Sequence, residues 1–138
     1  MTTLREARQA INSRFVSAWN DVTPYTLQNE DFESEGLDEW ARVTINNTLA
    51  SQGTLGPPTA RRFERQGVAT VQIFTKGGSA TDRADELAMI AQGAFEGVTL
   101  TISSVTFLDV VVNEIGEDDE GTWYQVNVVA NFRYFETK

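Results

Sequence analysis

"GVATVQIFT", residues 67–75, alternates strictly: Ala69, Val71 and Ile73 fall on one side and Thr70 and Gln72 on the other. A period of two with one apolar side is a half-buried β-strand. "EWARVTIN", residues 39–46, repeats the pattern, with Ala41, Val43 and Ile45 against Trp40, Arg42, Thr44 and Asn46. Two such strands adjacent in sequence pair most simply as an antiparallel hairpin. The connection between them is long. "SQGTLGPPTARRFERQG", residues 51–67, opens with Gly53, Gly56, Pro57 and Pro58, then places Arg61, Arg62 and Arg65 within five residues. Connections of this length are commonly functional. We read residues 51–67 as a flexible hairpin arm, with residues 62–66 extending the second strand outward. Its three arginines are either a solvated tip or a docking element, since arginine's planar fork suits carboxylates and carbonyls at interfaces.

Outward from the hairpin, the chain divides cleanly. Residues 3–19 read as an amphipathic helix, with Leu4, Ala7, Ile11, Phe15, Ala18 and Trp19 on one face and Thr3 with Glu6 as a capping box. "PYTLQ" after it reads as a short strand. "NEDFESEGLDE", residues 29–39, holds six acids and no base and reads as a solvated connection. A second helix follows Gly77 and Gly78, capped by Ser79 or Thr81. Its buried stripe is Ala84, Leu87, Ala88, Ala91, Ala94 and Phe95, and Gly97 forms its exit. Residues 98–115 form one long β-prone run in which Leu100 and Ile102 share a face, with a bulge expected near Asp109. The acidic turn Glu117, Asp118, Asp119 and Glu120 leads to the clearest strand, residues 123–135. The expected fold is α+β: a mainly antiparallel or mixed sheet, two helices packed on one face, and a long hairpin arm.

The composition excludes several chemistries. The 138 residues suit one domain, residues 1–138. With no cysteine and no histidine, thiol chemistry, Ser–His and Cys–His nucleophiles and histidine metal sites are all absent. A formal charge of -9 argues against general coating of nucleic acid. No phosphate loop, calcium loop, apolar span or signal peptide stands out, so no cofactor, metal or membrane is expected and an intracellular protein is the default. Asp109 is the one carboxylate within an apolar run, and it reads as a solvated or bulge residue.

"REARQAINSRFVSAW", "RRFERQGVATVQIFT", "ADELAMIAQGAFEG" and "YQVNVVANFRYFE" together resemble the tail-terminator family of long-tailed bacteriophages. The resemblance covers nearly the whole chain as order and texture, and it includes no catalytic motif. It implies a non-enzymatic virion protein, assembled in the host cytoplasm. Six copies would form a ring on the head-proximal end of the tail tube, stop its polymerisation and offer a surface to the head connector. Genomic DNA would only pass through the lumen. On this reading Arg61, Arg62 and Arg65 meet the tube or a neighbouring subunit. Glu117, Asp118, Asp119 and Glu120 line the channel or lie on the outer surface. A phage neck or head-closure protein is the nearest alternative, and a small enzyme or ligand-binding domain is the alternative from another class.

Overall fold

The computed structural model describes residues 2–100 and 104–138. Helix α1 (Leu4–Trp19) is followed by β1 (Tyr25–Thr26), β2 (Glu39–Gln52) and β3 (Arg62–Lys76). Helix α2 (Asp82–Phe95), β4 (Thr99–Leu100), β5 (Val105–Glu117) and β6 (Trp123–Thr137) complete the chain. The strands form one mixed sheet in the order β1-β2-β3-β6-β5-β4, antiparallel except for the β1–β2 pair. Both helices lie on one face, giving the expected α+β class.

The alternation seen in the sequence is the burial pattern. Ala41, Val43 and Ile45, then Ala69, Val71 and Ile73, then Val126, Val128, Ala130, Phe132 and Tyr134 all point into the core. The six predicted residues of α2 are its buried residues. In α1, Thr3 accepts from the Glu6 amide and Glu6 accepts from the Thr3 amide, completing the capping box. Hydrogen bonding of the Glu6 carboxyl to the Thr3 side chain first, and then to the Thr3 backbone amide, holds it below its ordinary pKa.

Three expectations change. Leu4 does not join the core but is 52 % exposed, because the first turn of α1 overhangs a groove. Thr81 caps α2 by position without a side-chain hydrogen bond. The single run over residues 98–115 is two strands, β4 and β5, paired antiparallel; Ile102 lies outside the described residues. The expected bulge is present as a register shift between Phe107 and Val110, and Asp109 within it is exposed.

The acidic connection at residues 29–39 is pinned rather than free. Phe32 stacks on Trp40 at 4.9 Å, and Trp40 stacks on Phe74 at 4.1 Å and meets Trp123 edge-on at 6.2 Å. Glu39 takes two bonds from the Arg83 guanidinium, at 2.8 and 2.9 Å, which push the Arg83 pKa further up. This aromatic cluster sits on the sheet face away from the helices. Trp40 and Trp123 are distant in sequence, and only the β2–β3–β6 register brings them together.

Candidate interaction surface

β3 is bonded on both sides along its whole length, to β2 on one side and β6 on the other. The predicted hairpin arm is therefore three strands wide. Beyond Gly67 the pairs Ala50–Arg65 and Ser51–Glu64 continue the β2 ladder, while Arg65–Tyr134 and Arg62–Thr137 continue the β6 ladder. Arg61 and Lys138 extend the pairing one step further, exchanging backbone bonds of 2.8 and 3.1 Å. Only residues 53–61 are loop.

Alternation then separates the three arginines. Arg62 points to the face opposite the helices and Arg65 to the helix side, as their even and odd positions on one strand require. The Arg62 guanidinium lies 3.7 Å from the centre of the Phe135 ring, and Arg133 approaches the same ring at 5.9 Å. On the other face Arg65 and Lys138 flank Phe63 at 5.3 and 5.9 Å. Each face of the arm thus carries one phenylalanine with two cations on it. Arg65 is also paired with Glu136 at 3.1 Å, and Arg61 donates to the Gly56 carbonyl at 2.9 Å. Arg62 has no ion pair among the described residues. The three arginines do not form one patch. Phe63, Arg133, Phe135 and Lys138 were missed in the sequence because they converge only across the β3–β6 register.

An open groove of 740 Å³ runs between the first turn of α1 and the helix side of the arm. Leu4, Arg5, Leu49, Arg65, Tyr134 and Glu136 line it. Burial raises the Tyr134 pKa, with Arg65 acting in the opposite direction.

The opposite end of the sheet is acidic. Glu117, Asp118, Asp119 and Glu120 are exposed there. Asp118 is committed to the turn: its carboxylate accepts from the Thr122 amide at 2.8 Å, and its own amide bonds to the Trp123 carbonyl. Glu117, Asp119 and Glu120 make no ion pair among the described residues. The first turn of α2 adds Asp82 and Asp85 at the same end. Charge is thus divided along the strand axis, basic on the arm and acidic at the β5–β6 turn. Among the described residues there is no cluster of potential metal ligands and no helix long and apolar enough to cross a membrane.

No family model matches the chain, and no curated protein matches it. A solved structure whose name describes no activity shares the fold, with a TM-score of 0.64 at 14% identity over 91% of this chain and 94% of that chain.

Proposed function

We propose that this chain is a ring-forming structural subunit of a phage tail, a terminator that caps the head-proximal end of the tail tube. The observation that carries this reading is the cationic three-stranded arm, which projects past the helices at the end of the sheet opposite an acidic turn. A subunit polarised in this way meets different surfaces at its two ends, as a cap between tube and head connector must. In the ring the arm docks on acidic groups of the tube or of the adjacent subunit. Arg62, held over Phe135 but unpaired, is the group free to meet a carboxylate. Glu117, Asp119 and Glu120 line the channel, where their charge keeps passing DNA from adhering. Six copies, no cofactor and a place in the virion complete the reading.

The test is polymerisation of the tube protein of the same phage with and without this chain, with tube lengths read from electron micrographs. Capping shortens and narrows the length distribution. Arg62→Glu leaves the fold intact and abolishes capping. Replacing Arg65 as well would confuse the result, because a glutamate there faces Glu136 and loosens the arm itself. Unchanged tube lengths at saturating wild-type protein would sink the reading.

A further inference from the structure

We propose that the outer edge of β5 and the arm segment of β2 are two halves of one joint. β5 of one copy pairs antiparallel with β2 of the next, so the sheet continues from subunit to subunit. This rests on the ring assembly proposed above, and not on the identity of the tube.

Both edges are open. Among the described residues β4 pairs only with Val105 and Thr106 of β5, and β1 only with Ala41 and Arg42 of β2. Further along, the Phe107 amide bonds to the Val98 carbonyl and the Ile45 amide to the Gln28 side chain. Residues 108–117 and 47–52 have no further ladder partner on their outer sides among the described residues. Long open edges are normally blunted by lysine, proline or short strands, because they recruit other chains. β5 has two register shifts and three acids but no lysine or proline, and its apolar side chains remain in the open. Leu108, Val111, Val112 and Ile115 are exposed by 44 %, 48 %, 38 % and 56 %, on both faces of the strand. The β2 segment offers Leu49, 58 % exposed, beside Ala50.

Direction and charge select the occupant. β2, β3, β6 and β5 are successively antiparallel, so β2 and β5 of one copy run in opposite directions. Rotation about an axis along the strands preserves those directions, so β5 meets the next copy's β2 antiparallel. Such a contact is heterologous, and it closes into a ring where the rotation between copies is a whole fraction of a turn. The two open runs sit at different heights on the sheet, so the strands must incline to the ring axis, as they do in closed barrels. Pairing β5 with a second β5 would set Asp109, Glu114 and Glu117 against the same three acids with no base on the strand. The open run of β2, residues 47–52, carries no charge, and from Trp40 onward the strand has no acid; its neighbour β3 adds Arg62, Glu64 and Arg65 beside that run.

The chain has no cysteine, so engineered disulfides report without background. Val111→Cys is combined in turn with Leu49→Cys, Ala50→Cys, Ser51→Cys and Gln52→Cys, and each full-length protein is oxidised. Within one copy the two edges are separated by β3 and β6, roughly 14 Å at strand spacing, beyond the reach of a disulfide. The expected result is a ladder of covalent multimers ending at the ring in at least one combination. Val111→Lys with Ile115→Lys, both at exposed positions, should keep the wild-type circular dichroism and melting curve while weakening association about 100-fold. Dimers from Val111→Cys alone, rings with no β2–β5 link in any combination, or a monomer that never cross-links would each overturn the joint. A full ladder from protein that does not cap tubes supports the joint and removes the tail reading. Capping with no ladder does the reverse.

Discussion

The same three strands pass through two regimes. In the inner half, residues 39–46, 67–76 and 123–132 lie under α1 and α2, and one face is buried almost without interruption. In the arm, residues 47–52, 62–66 and 133–137 keep the register but lose the helices, and every β2 residue there is exposed. Hydrophobic burial holds the first half. Ladder bonds, the ion pairs Arg65–Glu136 and Arg133–Glu64, two cation-decorated phenylalanines and a single fully buried ring, Tyr134, hold the second. Burial contributes about 25 cal/mol per Å² of apolar surface, whereas an exposed cation–π contact contributes about 0.5–1 kcal/mol. The arm is therefore ordered by its register but more easily remodelled than the inner half.

The comparison can be broken most sharply in the core. Phe132→Ala removes a ring that is 1 % exposed, and should lower stability by about 3–5 kcal/mol in urea unfolding. Gly67→Ala strikes the junction of the two regimes, because an added Cβ would lie 2.5 Å from both the Asn46 carbonyl oxygen and the Phe132 ring. We expect a loss of about 1–3 kcal/mol, with β2 and β3 parting at residues 46–47. Phe135→Ala should cost about 1 kcal/mol or less in global stability. In hydrogen exchange it should release arm amides while leaving residues 69–73 protected. Equal acceleration in both halves would show that arm and core form a single cooperative unit.

A pH titration gives the smallest effect. Burial raises the folded-state pKa of Tyr134 above its ordinary value of about 10. The unfolded chain therefore releases its proton first as pH rises. Stability from this group is complete below about pH 10 and is lost as pH climbs toward the folded pKa. Tyr134→Phe should flatten the alkaline side of the melting-temperature profile and leave its acidic side unchanged. An alkaline limb as steep as wild type would assign that loss to other groups.

The inner half was legible because burial writes itself into alternation. The sequence of residues 67–75 and 123–135 predicts which side chains are buried, and the α2 stripe matches residue for residue. The arm was legible only as turn chemistry. "NNTLASQ" has no period, since neither face is buried, and its pairing follows from continuity with the strand before it. The third strand of the arm, and with it the Phe135 and Phe63 cation sites, depends on the β3–β6 register, which no local pattern announces. The aromatic cluster of Phe32, Trp40, Phe74 and Trp123 was hidden for the same reason, and its presence on the polar face turns a supposedly solvated acidic loop into a strap. Leu4 kept the helix period yet lies outside the core, because periodicity reports the face of a helix and not how far the opposing layer extends.

The most direct measurement is the mass of the wild-type protein by light scattering across concentration, with electron micrographs of the largest species. Six-subunit rings with an open channel, in equilibrium with free chain, are the predicted result. A monomer up to millimolar concentration would contradict it, leaving both exposed edges without the copies proposed to cover them.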